Sequence, residues 1–208
     1  IYASANLHIN FNMILFSKNS AKIGAVCYIE ISKDVKNYLC NFTDNIAKIE
    51  GGAFYGKDIK LFENIRCHYR KNIATEDGGA CLLQNLENMT NVFTIFYKNN
   101  ANSGGCLSIK FFIMLTNIKT SFSHSKAKQN GGDVNLLEFY TVTNIECIFY
   151  RSKAQNMGGS AKMSKGRYFR NEKNHYFNNT SNNQGGSVHI TEIQSIKLMN
   201  DTYINVVR

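Results

Sequence analysis

Residues 64–83, NIRCHYRKNIATEDGGACLL, contain the features that decide the fold. An asparagine (Asn64) is followed five positions later by an aromatic residue (Tyr69), and the segment ends in a Gly-Gly pair before apolar residues. The Gly-Gly pair recurs at a spacing of 26 or 27 residues, beginning at Gly51, Gly78, Gly104, Gly131, Gly158 and Gly185, with a degenerate copy at Ile23-Gly24-Ala25. A period of this length is typical of a solenoid built from stacked repeats.

Three other columns recur with the same spacing. An asparagine column reads Asn10, Asn37, Asn64, Asn91, Asn117, Asn144, Asn171. An aromatic column reads Phe16, Phe42, Tyr69, Phe96, Phe122, Phe149, Tyr176, Tyr203. A column of small residues five positions after the aromatic ones reads Ala21, Ala47, Ala74, Ala101, Ala127, Ala154, Ser181. We expect inward aromatic rings to stack from coil to coil, and asparagine amides to bond their equivalents in the next coil.

Within each unit the apolar residues alternate with a period of two, as in Ile145, Cys147 and Phe149, which is typical of short strands. The chain is therefore predicted to be all-β: a right-handed parallel β-helix solenoid with three short strands per coil and about 27 residues per coil. We expect one continuous solenoid over residues 1–208, a section of a larger protein with more coils or a partner at each end. A leucine-rich repeat has a similar length, but its regular leucine spacing is absent and the double glycine is foreign to it.

Phe42-Thr43-Asp44-Asn45 with Gly51-Gly52-Ala53-Phe54, and Tyr69 to Asn72 with Gly78-Gly79-Ala80-Cys81, resemble the repeat of polymorphic outer membrane proteins. These are autotransporter-type surface β-helices, and related repeats occur in large surface proteins of unicellular eukaryotes. The resemblance spans nearly the whole chain, although the later copies drift, as in Gly131-Gly132-Asp133-Val134. It implies an extracellular or cell-surface β-helix that acts in adhesion, recognition or assembly.

The composition limits the class of protein. Hydrophobic residues make up 43% of the 208 residues, which is enough for a core, and no apolar run approaches the length of a membrane span. The chain has 28 asparagines, no proline and a net charge of +9. Such a charge suits an anionic partner, whereas the richness in Asn, Lys, Ile, Tyr and Phe is also what an AT-rich genome produces. We expect no nucleic-acid partner, and membrane contact only through segments outside this chain.

A basic and aromatic stripe is the candidate binding surface. The residue two positions after each core aromatic is expected to point outward near a corner, and the residue before it lies alongside. The proposed binding residues are Arg70, Lys71, Tyr97, Lys98, His124, Tyr150 and Arg151. Stacked like charges cost stability unless a ligand offsets them, and exposed aromatic rings can stack on sugars or partner side chains. The stripe predicts contact with an anionic glycan or with other protein chains of an assembly; the alternative is a solvated face.

The sequence predicts a non-catalytic protein without cofactor, catalytic residues or metal ligands. The alternative is a carbohydrate-active β-helix enzyme of the lyase or hydrolase type, which needs carboxylates that converge on one face. Here the acidic residues occupy different columns, apart from Glu50 and Asp77 near one turn, and Asp133 has no evident partner. The five histidines share no metal-ligand spacing.

Six cysteines and several sequons bear on the compartment. Cys40 and Cys67 lie one coil apart in an inward column and form the candidate disulfide of an oxidising compartment. Cys27 and Cys106 are expected to point outward or to lie at a corner. Asn41, Asn88 and Asn200 are expected to point outward and are the candidate N-glycosylation sites of an extracellular or cell-surface protein.

Overall fold

The computed structural model describes residues 1–205, apart from the side chain of Asn6. These residues form a parallel β-solenoid of about seven turns, with about 27 residues per turn and three strands per coil. Successive coils pair in parallel to build three sheets that run the length of the molecule. All of the described elements are strands, so the described residues include no helix that could span a membrane.

The first sheet, sheet A, contains the long strands, which have 11 or 12 residues each. Numbered along the chain, its strands are β1 (Tyr2–Asn12), β4 (Cys27–Tyr38), β7 (Phe54–Ile65), β10 (Cys81–Val92), β13 (Leu107–Ile118), β16 (Val134–Ile145), β19 (Ala161–Glu172) and β22 (Val188–Met199).

Sheets B and C contain very short strands, of three and two residues respectively. The strands of sheet B are β2 (Leu15–Ser17), β5 (Asn41–Thr43), β8 (His68–Arg70), β11 (Ile95–Tyr97), β14 (Ser121–Ser123), β17 (Ile148–Tyr150), β20 (His175–Phe177) and β23 (Thr202–Ile204). The strands of sheet C are β3 (Ser20–Ala21), β6 (Ile46–Ala47), β9 (Ile73–Ala74), β12 (Asn100–Ala101), β15 (Lys126–Ala127), β18 (Lys153–Ala154) and β21 (Thr180–Ser181).

The prediction of three strands per coil is confirmed, but the three strands differ in length. The strand after Gly-Gly and the apolar patch that follows it form a single long strand, and one residue near its middle, such as Asp58 or Asn85, has a positive φ. Pairing continues on both sides of this residue, for example Gln84 with Lys57 and Leu86 with Ile59. The residues at the bend range from aspartate to phenylalanine across the coils, so the sequence contains no recurring signal for it.

Both glycines of the Gly-Gly corners from Gly51-Gly52 to Gly158-Gly159 are required, for two different reasons. The first one adopts a positive φ, as at Gly104 (φ 61°), a conformation that glycine reaches without strain. The second one lies against the next coil: a Cβ on Gly105 would stand 2.2 Å from the carbonyl oxygen of Gly132. The corner therefore excludes side chains at both positions.

The core consists of ladders that run along the solenoid axis. Stacked rings extend from Phe16 to Tyr203 with centroids 4.5 to 5.1 Å apart, as predicted. An asparagine ladder extends from Asn37 to Asn171, each amide donating to the next at 2.7 to 2.9 Å. The placement of Asn10 in this ladder is wrong. The first strand has register shifts, so that Asn10 pairs with Lys36 and Phe11 lies opposite Asn37.

Candidate binding groove

The corner between sheets B and C carries the predicted basic column. One residue per coil follows the last residue of the sheet B strand and adopts a positive φ of 53 to 58°. The column reads Asp44, Lys71, Lys98, His124, Arg151, Asn178. All six are exposed or half-buried, so the prediction that they point outward is confirmed.

A groove of about 530 Å³ runs along this corner, which we call the basic groove. Its lining residues are Asp44, Ile46, Lys71, Ile73, Lys98, Asn99, Asn100, His124, Lys126 and Arg151. The volume is in the range of small-molecule sites. One wall is the basic column and the other is the outward row of sheet C, where Ile46 and Ile73 are 46% and 39% exposed. The lining includes one carboxylate, that of Asp44 at one end.

Tyrosines of sheet B contact three of the basic side chains. The Lys98 ammonium lies 5.1 Å from the centroid of the Tyr97 ring, and the Arg70 guanidinium lies 5.6 Å from it. The Arg151 guanidinium lies 5.0 Å from the Tyr150 ring. Tyr97 and Tyr150 are half-buried, and their rings are already engaged by these cations. In this structure the two rings contact these cations, and their stacking on a ligand stays a prediction.

His124 completes this arrangement. The sheet B strand of its coil ends in Ser123, which is paired with Tyr97 on one side and Tyr150 on the other. The small Ser123 leaves a space between the two tyrosine rings, and the imidazole of His124 fills it at centroid distances of 5.3 and 5.2 Å. Partial desolvation, together with the charges of Arg151 and Lys98, lowers the pKa of His124.

The cations of the groove are not neutralised by acidic side chains. Within residues 1–205, none of Lys71, Lys98 and Arg151 forms an ion pair with a carboxylate; the ion pairs found there involve other residues. Lys126 and Lys153, paired in sheet C, add two exposed cations beside the column. The groove thus keeps a positive potential available to a ligand.

Lys126 and Lys153 were not among the candidate residues from the sequence. Each precedes the small inward residue of its coil, Ala127 or Ala154. That position faces the corner because sheet C is only two residues wide. The recurring small residue locates this position in the sequence. A strand of two residues is too short to show an alternation of apolar and polar residues.

Asp133 lies in a buried polar cluster. It occupies the position after Gly-Gly, points inward and is fully buried. Its carboxylate accepts hydrogen bonds from Ser152 Oγ at 2.7 Å and from Ser160 Oγ at 3.1 Å, so it does have partners. Ser125 and Ser152 stand where other coils have asparagine, and the smaller side chains leave room for the carboxylate. Burial raises the pKa of Asp133 to about 7.

The cysteines are all buried free thiols. The expectation that Cys27 and Cys106 point outward or lie at a corner is wrong for Cys27, which pairs in register with Phe54 in the inward column of Cys81. Cys106 does lie at a corner, directly after Gly104-Gly105, but its thiol points inward beside Ser125. Cys40 and Cys67 do lie in the inward column and contact backbone carbonyls, Cys67 Sγ lying 3.2 Å from Asn37 O. Burial raises the pKa of Cys67 to about 11. Their pairing in an oxidising compartment stays a prediction.

The three candidate glycosylation sites are accessible to different degrees. Asn41 and Asn200 are exposed, whereas Asn88 is half-buried within a sheet A strand. Their occupancy stays a prediction.

Among residues 1–205, no group of three or more His, Cys, Asp or Glu side chains is arranged to hold a metal ion.

Comparisons with known proteins match the chain to no protein family, to no curated protein and to no solved structure.

Proposed function

We propose that this chain is a non-catalytic section of an extracellular or cell-surface β-solenoid that binds an anionic partner along the basic groove, in adhesion, recognition or assembly. The observation that carries the proposal is the row of Lys71, Lys98, His124 and Arg151 along one corner. Tyrosine rings contact Lys98 and Arg151, and within residues 1–205 no acidic side chain forms an ion pair with the two lysines or the arginine. Cations ordered before binding lose less side-chain entropy when a ligand arrives.

The chemistry of the groove supports binding rather than turnover. Hydrolysis of glycosidic bonds ordinarily uses a pair of carboxyl groups on the two sides of the scissile bond. The groove lining offers Asp44 alone, at one end. The resemblance of the Phe-x-x-Asn and Gly-Gly-Ala elements to surface-protein repeats is the support for the extracellular location.

The experiment is a triple charge reversal, Lys71→Glu, Lys98→Glu and Arg151→Glu. Retention of the chain is measured on two immobilised anionic probes, a polyuronate and polyglutamate, over a range of salt concentrations. We expect the parent chain to bind at least one probe and to lose binding as salt rises, because exposed charges are screened. The triple variant should bind at least about tenfold more weakly at low salt.

A matched control separates the groove from net charge. The variant Lys36→Glu, Lys60→Glu and Lys173→Glu changes three exposed lysines away from the groove and lowers the formal net charge equally, from +9 by 6 to +3. It should keep most of the parent's binding. Equal loss in both variants, or no loss in the groove variant, contradicts the proposed function.

A further inference from the structure

We infer that the occupant of the basic groove is a segment of a partner protein with apolar side chains at one end and carboxylates at the other. This inference rests on the proposed function and specifies its partner. It follows from the chemistry of the groove along the solenoid axis, which changes from apolar to strongly cationic.

The sheet C wall of the groove changes character from coil to coil. Parallel pairing places one outward residue of each coil in a row along the axis, and the row reads Ile46, Ile73, Asn100, Lys126, Lys153. The two isoleucines and the two lysines are exposed, and the asparagine between them is half-buried. This wall is therefore apolar at one end and cationic at the other.

The opposite wall has the same gradient. In the coils of the two isoleucines, the basic column carries Asp44 and Lys71, whose opposite charges cancel in sum. In the coils of the two lysines it carries His124 and Arg151. The imidazole is neutral near pH 7.5, so the charge of this end comes from the arginine and the lysines.

The cationic end continues beyond the basic groove. A second depression of about 280 Å³ shares Asn100 and Lys126 with the groove, and its lining adds Lys128 and Lys153. Within residues 1–205, none of these three lysines forms an ion pair with a carboxylate. Several carboxylates of a partner can therefore pair with cations at this end, whereas the other end offers apolar contact.

The gradient favours a protein segment over other anions. A polyanionic glycan carries charge along its whole length and gains nothing from the end where charges cancel beside isoleucines. An acyl chain with an anionic head group needs walls that enclose it, and Ile46 and Ile73 are exposed. An acidic protein segment can place apolar side chains on the isoleucines and carboxylates beside the lysines while its backbone stays hydrated.

The test compares peptides of one composition, three leucines and four glutamates, on the parent chain tethered at low density on a sensor surface. Block peptides have the leucines together at one end, and both orders are made because a segment can run along the groove in either direction. The mixed peptide alternates glutamate and leucine. We expect one of the block peptides to bind at least about fivefold more tightly than the mixed peptide, because only it buries leucines and pairs its charges together.

Two double variants locate the apolar contact. Ile46→Ser with Ile73→Ser should weaken binding of the tighter block peptide at least about fivefold, and binding of the mixed peptide no more than about twofold. Ile95→Ser with Ile148→Ser is the matched control, because these isoleucines are 40% and 43% exposed on sheet B, outside the lining of the groove. It should leave both affinities unchanged.

The outcomes separate the partner from the function. The inference is overturned, while the basic groove remains a binding surface, if the mixed peptide or a peptide of four glutamates binds as tightly as the block peptides. It is also overturned if Ile46→Ser with Ile73→Ser has no effect, or if a four-sugar uronate, with the same number of carboxylates, binds more tightly than the block peptides. If no anionic probe depends on Lys71, Lys98 and Arg151, the proposed function itself fails. The peptide comparison needs no variant, so it decides the matter even where a substitution disturbs folding.

Discussion

Asp133 is a carboxyl group enclosed by neutral partners. Ser152 and Ser160 donate to it, the Cys106 thiol lies 3.7 Å away, and no cation among residues 1–205 forms an ion pair with its ionised form. It keeps its proton up to about pH 7 in the folded chain, whereas an unfolded aspartate releases it near pH 4. The unfolded chain therefore binds fewer protons between these values, so the stability of the fold decreases as pH rises from about 4 to about 7.

We predict that Asp133→Asn removes this dependence. At pH 8 the variant should be more stable than the parent by on the order of 4 kcal/mol, and at pH 4 the two should differ little. The free energy of unfolding is measured in denaturant at both pH values. Asp58→Asn, at an exposed position, is the control and should behave as the parent. The prediction is refuted if the difference in free energy of unfolding between Asp133→Asn and the parent is the same at pH 4 and at pH 8.

His124 provides a second residue-scale prediction, which concerns binding. Its pKa is lowered from the ordinary value of 6.5, so the imidazole is neutral at pH 7.5 and gains a proton only at more acidic pH. Its neighbours in the corner are the cations Lys98 and Arg151, with Lys126 on the opposite wall. Protonation adds a fourth charge to the column, and we expect anion affinity to increase by up to about fivefold between pH 7.5 and 5.

Two variants at this position isolate the effect. His124→Asn is uncharged and tolerates a positive φ, so its affinity for a polyuronate should be nearly independent of pH over this range. His124→Lys places at this position the residue that two other coils already have, Lys71 and Lys98. At pH 7.5 it should bind the polyuronate more tightly than the parent does, with little dependence on pH. A pH dependence that persists in His124→Asn would assign the effect to another group.

At the scale of elements, the Gly-Gly corner makes the coils interdependent. A Cβ on Gly105 meets backbone atoms of two neighbouring segments, the carbonyl oxygens of Gly132 and Lys126, and neither can move without disturbing its own coil. We predict that Gly105→Ala lowers the free energy of unfolding by roughly 1–3 kcal/mol. At Gly56 a Cβ would meet only the side-chain ends of Ile59 and Leu83, which can rotate away. Gly56→Ala should therefore cost less, and chemical denaturation of both variants tests the order.

At the scale of the whole molecule, the outer strands β1 and β22 of sheet A each pair on one side only within residues 1–205. The edge strand β22 carries Ile196 and Leu198, which are 47% and 52% exposed. Unpaired edges with exposed apolar residues template pairing with another chain. We predict that residues 1–208, produced by themselves, self-associate as concentration rises, which size-exclusion chromatography measures.

Charged residues on an edge strand oppose such pairing. Ile196→Lys with Leu198→Lys should reduce self-association. Ile113→Lys, at a position that is 54% exposed within the interior strand β13, should not. A parent chain that remains monomeric at all concentrations would contradict the prediction.

The architecture can be predicted from the sequence, because every coil of a solenoid repeats the same environment. Period, strand count and the inward aromatic column are all visible as recurring residue types, and each recurrence confirms the others. The candidate column from Lys71 to Arg151 was also located in this way, since a fixed offset from a core aromatic fixes the side of the sheet. The first coil was misplaced at Asn10 because there the offset to the next aromatic is six instead of five.

The packing of side chains between neighbouring coils is visible in the three-dimensional structure and could not be predicted from the sequence. The space above Ser123 that His124 fills, and the space beside Ser152 that Asp133 fills, exist because a smaller residue in one coil lies against a larger one in a neighbouring coil. The groove between sheets B and C depends on the bend at each positive-φ residue, which non-glycine side chains adopt here without a shared residue type. Such features depend on packing between residues about 27 positions apart, and a pattern along the chain does not contain them.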